Sequence, residues 1–435
     1  MAPAIFLKNG RIIDPASNMD MKAGLLIREG KIDWIGEGTP PGDDNYVIID
    51  VDGCIVCHGF IDLHCHLRQP GYEEAETIAT GTRAAAKGGF TTVCCMPNTN
   101  PPIDSPEMVR YIYQTAAAQG KIRVMPIACV TIGRQGEEIV DMNELELAGA
   151  CAFSDDGAPV TSPDIMRQAL LYSHDFGIPI MDHCENMFLS QGGQVNFGPV
   201  AAKLELRGIP AEAEELIVKR NLDLARETGG HIHICHVSTA GSVELIRAAK
   251  QQNVPVTAEA TPHHLTLTED IVLEQKTMAK VNPPLRSAAD RKALVAGLNE
   301  GVIDAVATDH APHKASDKNC RFEDAAFGIS GFETALSSLV GLVMKSEIGL
   351  NTLIESLTVA PARILGYSKF GVLETGLPAE ITVFDLHREW TVNPAEFVSK
   401  GKNTPLAGKK MHGKVMLTIY NGEVVYADES MLEPE

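Results

Sequence analysis

The sequence predicts an α/β fold, a (β/α)8 TIM-like barrel with a smaller β-sandwich domain built from both termini. Three observations predict it. Eight short apolar runs alternate with helical stretches through the middle of the chain, both ends are rich in strand and turn signals, and polar side chains follow the apolar runs. Alternating strands and helices are typical of a parallel sheet covered by helices. A chain of 435 residues is long enough for a barrel and an accessory domain.

Residues 1–55 and 370–435 are predicted to form one composite β domain. The first segment alternates strand-like runs, such as AIFLKNGRII, with turns that contain Gly, Asn or Pro. The last segment repeats this style and carries an Asn-Gly hairpin signal at 421–422. Similar segments at both ends indicate that the predicted barrel, 56–369, is inserted between them.

The barrel strands are predicted from apolar runs of the middle segment. Helical stretches separate most of these runs, and two helices begin with N-cap signals, Ser162-Pro163 and Ser238-Thr239. Because such barrels carry their chemistry at the carboxyl ends of the strands, the residues that follow each run form the candidate site. The runs lie at 55–63, 90–96, 122–130, 149–154, 178–182, 231–236, 254–259 and 303–308.

Composition argues against several classes of function. The net charge is −20, from 37 basic and 57 acidic residues, so no nucleic-acid partner is expected. No apolar run reaches the roughly 18–20 residues that span a bilayer, and the first residues carry no secretory signal. Most of the ten cysteines lie in apolar runs, which is typical of buried free thiols, and a cytoplasmic protein is expected. The lone C-x-x-C pair, Cys54 and Cys57, has no second pair that would complete a structural zinc site.

Candidate metal ligands follow five of the strand-like runs. His64 and His66 follow the first at a spacing of two, which places both imidazoles on one face of an extended chain. A single strand-end His or Asp is commonly a satisfied core residue or a helix cap. Six donors at one end of one barrel indicate a metal centre instead. The later runs contribute Asp155 or Asp156, then His183, His236 and Asp309.

This set of donors predicts hydrolytic chemistry. Four imidazoles and two carboxylates suit zinc, with cobalt or manganese as alternatives. Six ligands exceed the need of one tetrahedral ion, so two ions bridged by a carboxylate and a water are expected. Such a pair lowers the pKa of the shared water towards about 7 and polarises a carbonyl. In so acidic a protein, an anionic substrate needs local positive charge, which Arg68 can supply.

Longer motifs surround these residues. They are GFIDLHCHLRQPG, TTVCCMPNTNPP, AFSDDG, DHCE, HVST, VNPPLR, ATDHAPH and AFGISGFE. Together they resemble class I dihydroorotase, of the amidohydrolase superfamily, over nearly the whole chain. The resemblance implies zinc-dependent, reversible cyclisation of N-carbamoyl-L-aspartate to L-dihydroorotate in de novo pyrimidine (UMP) biosynthesis. It also implies a metal-bridging hydroxide as the nucleophile.

The resemblance implies a role for each ligand candidate. Asp156, rather than Asp155, would bridge the ions, because the family's bridging residue immediately precedes a glycine. Asp309 would contact the first zinc and act as general base and acid between hydroxide and ring nitrogen. Many superfamily members bridge their metals with a carboxylated lysine, but no lysine lies between Lys121 and Lys203. The first zinc would be held by His64 and His66, and the second by His183 and His236.

Substrate contacts are implied as well. Arg68 would bind the substrate carboxylate, which a guanidinium can hold bidentately. For Asn98 and Asn282, which lie beside prolines, turn capping is the alternative role. The run 310–328 is rich in small and charged residues and is interpreted as a mobile lid. The implied set is His66, Arg68, Asn98, Asn282 and His313, with backbone groups near Phe327 and Gly328.

Two other functions stay open at this point. Allantoinase and dihydropyrimidinase hydrolyse related cyclic amides, but they tend to use the modified lysine and need no carboxylate contact. A non-catalytic scaffold for aspartate transcarbamoylase is the second, although such chains typically lose metal ligands that this chain keeps. An active chain could also assemble with the transcarbamoylase, and a homo-oligomer is expected.

Overall fold

The computed structural model describes residues 4–42 and 45–431. Its strands are β1 (Ala4–Asp14), β2 (Met19–Arg28), β3 (Lys31–Gly36), β4 (Tyr46–Asp50), β5 (Ile55–His58), β6 (Phe60–Cys65), β7 (Phe90–Cys95), β8 (Arg123–Pro126), β9 (Ile180–Asp182), β10 (Val195–Asn196), β11 (Gly208–Ile209), β12 (Ile232–Ile234), β13 (Val256–Ala260), β14 (Ala305–Val306), β15 (Ile381–Thr391), β16 (Lys410–Tyr420) and β17 (Glu423–Ala427).

The α-helices lie mostly between the strands of the middle segment. They are α1 (Ile78–Lys87), α2 (Pro106–Gln119), α3 (Met142–Ala148), α4 (Pro163–Phe176), α5 (Met187–Ser190), α6 (Pro199–Leu204), α7 (Glu212–Thr228), α8 (Ala240–Gln251), α9 (Pro262–Thr266), α10 (Ile271–Gln275), α11 (Ala288–Asn299), α12 (Ala315–Lys318), α13 (Phe332–Met344), α14 (Leu350–Leu357) and α15 (Val359–Ile364). Short 3-10 turns occur at Ile132–Arg134, Lys276–Ala279, Pro394–Glu396 and Glu429–Met431.

Both ends of the chain build one eight-stranded sheet. Its order is β17-β16-β15-β5-β1-β2-β3, and β4 pairs with β1. The strand β15 from the C-terminal segment pairs antiparallel with β5 from the N-terminal segment. Leu25 and Ile27 from the first segment share an apolar core with Val383 and Leu417 from the last. The predicted β-sandwich domain built from both termini is therefore confirmed.

The middle of the chain forms a closed ring of parallel strands. One arc is β6-β7-β8 and the other is β9-β12-β13-β14. Phe153 joins the arcs through parallel bridges to Ala128 and Ile180. His310 closes the ring through a parallel bridge to Cys65. The predicted (β/α)8 barrel is confirmed.

The first predicted strand, 55–63, divides in two. Ile55–His58 pairs with β1 and β15 in the terminal sheet, whereas Phe60–Cys65 pairs with β7 in the barrel. Gly59 lies at the division, and a Cβ there would come within 2.2 Å of the Thr91 side chain. Only glycine fits where the chain passes between the two sheets. The domain boundaries stay a prediction, and residues 56–58, expected in the barrel, lie in the terminal sheet.

The fourth predicted strand, 149–154, is much shorter in the structure. Its ladder contacts are the isolated bridges made by Phe153. The helix α3 ends immediately before it, with Gly149 in the left-handed conformation as its C-cap. Immediately after it, the Asp155 carboxylate accepts hydrogen bonds from the backbone N–H groups of Val130 and Thr131. The cap and this turn leave room for little regular strand between them.

Local expectations about helices and cysteines also hold. Ser162 caps α4, with Pro163 as its first residue, and Thr239 caps α8.

All ten cysteines are free thiols, and Cys320 alone among them is exposed. In residues 4–42 and 45–431, no helix is both long and apolar enough to cross a membrane.

Candidate metal centre and active site

The candidate ligands meet at the carboxyl ends of the barrel strands, and three residues of the site have unusual backbone conformations there. Arg68, His236 and Asp309 have φ angles of 62°, 34° and 44°. Left-handed conformations cost non-glycine residues about 1–3 kcal/mol each and cluster at functional sites. Here they turn the chain at the strand ends. The ligand candidates His64, His66, Asp156, His183, His236 and Asp309 are all buried.

Asp156 faces two pairs of histidines, His64 with His66 and His183 with His236. Its Oδ1 lies 3.3 Å from His64 Nε2 and 3.8 Å from His236 Nε2, and its Oδ2 lies 3.6 Å from His66 Nε2. Asp309 Oδ1 lies 3.1 Å from His66 Nε2 and 3.7 Å from His64 Nε2. One carboxylate therefore lies between the pairs, and the second lies beside the first pair.

The other pair of histidines presents two ring nitrogens to the same space. His183 Nδ1 lies 2.9 Å from His236 Nε2. On the far side of its ring, His183 Nε2 lies 2.8 Å from Glu185 Oε2. Because a carboxylate only accepts, His183 carries a proton on Nε2, and its Nδ1 faces the cluster.

The residues of this site fit a metal ion. His64 Nε2 is buried and makes no hydrogen bond to any residue that the structure describes. Its neighbours include carboxylate oxygens and further ring nitrogens, which are the donors that zinc and similar ions take. Donor atoms lie within 4.8 Å of one another in two groups of this site. These groups are His64, Asp156 and His236, and His64, His66 and Asp309.

Both aspartates are held in the ionised form that a metal ligand needs. Burial alone raises the pKa of Asp156, but the surrounding imidazoles, that of His64 above all, lower it well below its usual range. Burial likewise raises the pKa of Asp309, yet the surrounding imidazoles, that of His66 above all, lower it strongly. The cluster therefore contains two carboxylates at neutral pH.

The cluster forms the floor of a pocket of about 240 Å³. Sites for drug-sized molecules have volumes of ~300–1,000 Å³, so this pocket suits a small ligand. A larger groove, of about 970 Å³ beside Lys87 and Trp390, contains none of the candidate ligands. His64 lies beneath the floor and Asp155 turns away from it. The predicted residues that line the pocket are His66, Arg68, Asn98, Asp156, His183, His236, Asn282, Asp309, His313, Phe327 and Gly328.

Known proteins resemble this chain over almost its full length. A family model described as dihydro-orotase-like matches residues 53–242. A dihydroorotase from Caldanaerobacter subterraneus subsp. tengcongensis is 47% identical over 430 residues, 99% of each chain. One from Aquifex aeolicus is 47% identical over 426 residues, which cover 98% of this chain and 99% of that protein.

This chain belongs to the dihydroorotase family. Solved structures agree on the fold. An L-hydantoinase (dihydropyrimidinase) from Arthrobacter aurescens superposes with a TM-score of 0.88 at 26% identity, covering 97% of this chain and 96% of that one. The dihydropyrimidinase of Brevibacillus agri, at 22% identity, has a TM-score of 0.85 over 98% and 95% of the two chains. The predicted family and the predicted class, a metal-dependent cyclic amide hydrolase, are confirmed.

In this dihydroorotase-family chain, two residues predicted to contact the substrate, Asn98 and Asn282, also help to hold candidate metal ligands in place. Asn98 Oδ1 accepts a hydrogen bond from His66 Nδ1 at 2.9 Å. Asn282 Nδ2 donates to Glu185 Oε2 at 2.9 Å, and the same oxygen contacts His183. Both asparagines line the pocket, so each amide has a partner in the protein wall and a face towards a ligand.

The wall of the pocket above the metal cluster carries a positive charge, that of Arg68. Arg68 Nε donates to Pro312 O at 3.2 Å, and its Nη2 lies 3.4 Å from His313 Nε2. His313 Nε2 in turn lies 2.7 Å from Phe327 O. Burial and the neighbouring guanidinium lower the pKa of His313 to about 3, so its imidazole is neutral. Arg68 is therefore the cation that a ligand meets on this wall.

The predicted lid, 310–328, is attached to the protein by buried side chains. Lys318 Nζ donates to Ala326 O at 2.8 Å and to Gly328 O at 3.0 Å. Asn403 Nδ2 donates to Ala311 O and to Gly328 O, each at 3.0 Å. The Gly328 N–H donates to Lys280 O. The backbone groups of Gly328 thus have partners in the protein, and motion of the loop stays a prediction.

Two carboxylates behind the ligand candidates, Glu185 and Glu259, are not predicted from the sequence. Glu259 Oε1 lies 2.9 Å from His64 Nδ1, and this carboxylate is fully buried. Burial alone raises the pKa of Glu259, but hydrogen bonds from His233 and His64 lower it to about 2. Two features of the sequence could have indicated these residues. Glu259 is a glutamate inside the strand-like run VTAEA, and Glu185 ends the motif DHCE.

Proposed function

We propose that this chain is a zinc-dependent dihydroorotase that interconverts L-dihydroorotate and N-carbamoyl-L-aspartate in de novo pyrimidine biosynthesis. One observation carries the proposal. Two pairs of histidines face each other across Asp156, and all of them except His64 line one small pocket together with Asp309 and Arg68. Relatives of the same length that are named dihydroorotase support the assignment.

Two zinc ions are proposed, because the donors exceed the need of one tetrahedral ion. Bound zinc lowers the pKa of water towards about 7 and polarises a carbonyl, which together make amide hydrolysis feasible at neutral pH. Asp156 would contribute to both sites. His64, His66 and Asp309 would hold the first ion, and His183 and His236 the second.

Asp309 would carry the proton of the reaction. Its ionised carboxylate takes a proton from the attacking water and passes it to the ring nitrogen as the carbon–nitrogen bond breaks. The products are a carboxylic acid, which releases its proton to become a carboxylate, and the NH2 group of the carbamoyl unit, so atoms and charge balance. In the direction of ring closure the same carboxylate removes the proton from that nitrogen. His66, 3.1 Å away, orients the Asp309 oxygen for this exchange.

Arg68 would select the substrate. Dihydroorotate carries a carboxylate that dihydrouracil and allantoin lack, and a part-buried guanidinium in the pocket wall can bind it with charge-assisted hydrogen bonds. The net charge of −20 repels anions at long range, so the local cation has to offset that field. This feature favours dihydroorotate over neutral cyclic amides.

A substrate panel tests the proposal. Zinc-loaded enzyme should hydrolyse dihydroorotate, with little turnover of dihydrouracil or allantoin. In Arg68→Gln, kcat/KM for dihydroorotate should fall ~10–150-fold, the equivalent of ~1.5–3 kcal/mol for hydrogen bonds to a charged group. The control Arg110→Gln removes an exposed arginine of α2 and should match the wild type. Turnover of dihydrouracil or allantoin without turnover of dihydroorotate would overturn the substrate assignment.

The same assay separates the enzyme from a non-catalytic scaffold, because a scaffold would turn over none of the three compounds. Association with a second copy of the chain, association with aspartate transcarbamoylase and a cytoplasmic location stay predictions of the sequence. The metal sites and the role of each residue are part of the proposal as well.

A further inference from the structure

A fully buried carboxylate lies directly behind His64. Glu259 comes from β13, on the opposite side of the metal cluster from the pocket, and its Oε1 lies 2.9 Å from His64 Nδ1. The other ring nitrogen, His64 Nε2, faces Asp156 and Asp309. Because a carboxylate only accepts hydrogen bonds, Nδ1 must carry the proton. The neutral ring then has its lone pair on Nε2, where the proposed metal would bind.

The second oxygen of Glu259 contacts another buried histidine. His233 Nε2 lies 3.2 Å from Glu259 Oε2, and neither atom has a hydrogen bond to any other residue in the described part of the chain. Each atom is therefore the available partner of the other. A buried carboxylate without partners is costly, so this pairing stabilises Glu259 as the acceptor for His64.

His233 is held in turn by a series of polar contacts that runs along the barrel interior. Its Nδ1 lies 2.8 Å from Thr257 Oγ1, and the same hydroxyl lies 2.7 Å from His231 Nε2. His231 is partly exposed and lines a pocket at the other end of the strands, far from the metal cluster. The chain of polar contacts thus passes through the barrel interior from one end to the other.

One assignment of protons to the ring nitrogens and the threonine hydroxyl gives each of these contacts one donor and one acceptor. His231 Nε2–H donates to the Thr257 hydroxyl, and that hydroxyl donates to His233 Nδ1. His233 Nε2–H points at Glu259, as does His64 Nδ1–H. No histidine needs a positive charge in this arrangement. The single carboxylate at its centre determines the direction of every donor, including the one on His64.

We propose that Glu259 is a positioning residue for metal binding, and that His233 and Thr257 hold it in place. Glu259 fixes the tautomer and the orientation of His64, so that Nε2 is ready for an ion. Partners of this kind behind a ligating histidine are typically worth 10–100-fold in metal affinity or activity. The inference rests on the proposed metal centre and adds residues from the barrel interior to it.

Cobalt binding tests the inference without relying on turnover. Metal-free wild type, Glu259→Gln and Thr257→Val are titrated with Co²⁺ against a competing chelator, and the visible absorption of each complex is recorded. Glu259→Gln should bind the ion at the His64 site 10–100-fold more weakly, with a changed cobalt spectrum. Thr257→Val keeps the shape of the side chain and removes only the hydroxyl, and it should weaken the same site by a smaller factor.

The control is Glu333→Gln, which alters a carboxylate of α13 that accepts from the backbone of Val398 and Ser399. It should bind Co²⁺ as the wild type does. Wild-type affinity and spectrum in Glu259→Gln would overturn the inference, and so would equal weakening in Glu333→Gln. If Glu259→Gln fails to fold, wild-type behaviour of Thr257→Val overturns it instead. Wild type that binds no Co²⁺ would overturn the proposed metal centre itself, and the inference with it.

Discussion

His66 illustrates how single residues are held in this site. Its Nδ1 donates to Asn98 Oδ1, and its Nε2 lies between Asp309 and Asp156. His64 and His183 show the same arrangement, with the outer nitrogen on a carboxylate and the inner one towards the cluster. Each ring is therefore oriented before any ion binds, which reduces the cost of ordering the ligands on binding.

Removal of the Asp309 charge should abolish most of the activity. Asn has nearly the same shape but cannot accept and return a proton, so kcat of Asp309→Asn for dihydroorotate should fall by ~10²–10⁴-fold. Steady-state kinetics with metal analysis on the same sample measures this. The control Asp164→Asn, at the exposed start of α4, should keep wild-type kcat. Unchanged kcat in Asp309→Asn would remove this residue from the proposed role.

Sequence could predict residues at strand ends but not their partners across the barrel. His64 and Asp309 stand out because each follows an apolar run. Glu259 has no such mark, since its contact with His64 joins positions 195 apart in the chain. The tertiary fold alone creates that contact. A glutamate within a buried strand was the one available sign that a partner must exist.

At the scale of elements, the loop 310–328 combines an exposed surface with a buried anchor. The helix α12 ends at Lys318, whose ammonium group lies among the carbonyl oxygens of Lys280, Ala326 and Gly328. Composition alone suggested a lid, because small and charged residues predominate in this run. The anchor comes from a single long side chain that turns inward, and sequence patterns do not reveal that direction.

Loss of this anchor should loosen the loop. Lys318→Met keeps much of the apolar stem but leaves buried carbonyl groups without their donor, at ~1–3 kcal/mol for each unsatisfied group. We expect faster hydrogen exchange of backbone amides at 311–328 and a higher KM for dihydroorotate. Hydrogen exchange followed by mass spectrometry measures the first effect. Lys292→Met, on an exposed position of α11, is the matched control, and equal exchange in the two variants would contradict the prediction.

Lys318 should also make stability depend on pH. Burial, followed by the charge of Lys280, lowers the pKa of Lys318 to about 7, against about 10.4 in an unfolded chain. Between these values the unfolded chain holds a proton that the folded chain lacks, so the free energy of unfolding rises with pH. Relative to Lys318→Met, the wild type should gain up to ~1.4 kcal/mol per pH unit from pH 7 to 10. Denaturant titrations check this, and parallel curves for the two proteins would contradict it.

Element boundaries were predictable where a local signal fixed them. The starts of α4 and α8 carry a capping side chain, and both occur where the sequence indicates. The division at Gly59 carries no such signal, because both halves of 55–63 are equally apolar. Their assignment to different sheets depends on which distant strands pair with them. The C-terminal strand β15 decides it, more than 300 residues away.

At the scale of the whole molecule, the barrel brings together ligands from positions 64 to 309 of the chain. The two proposed ions together would link five strand ends, and the unfolded chain has no such set of ligands to bind them. The ions should therefore stabilise the fold as any ligand of the native state does. The terminal sheet contributes indirectly, because β5 leads straight through Gly59 into the strand that carries His64.

Metal removal should lower the melting temperature. At zinc concentrations 100–1,000 times Kd, binding adds about 2.7–4.1 kcal/mol to the free energy of unfolding. Calorimetry of chelated and zinc-loaded protein should therefore show a rise of several degrees on loading. Asp156→Asn, which removes the central carboxylate charge, should show a much smaller rise. Equal melting temperatures of the chelated and loaded wild type would contradict a native-state metal site.

The most direct test of the account is anomalous diffraction at the zinc absorption edge from crystals of the zinc-loaded protein. The account predicts two peaks ~3.5–4 Å apart, with Asp156 between them. One should lie next to His64 and His66, and the other next to His183 and His236. Zinc bound elsewhere, or no zinc within coordination distance of these side chains, would contradict it.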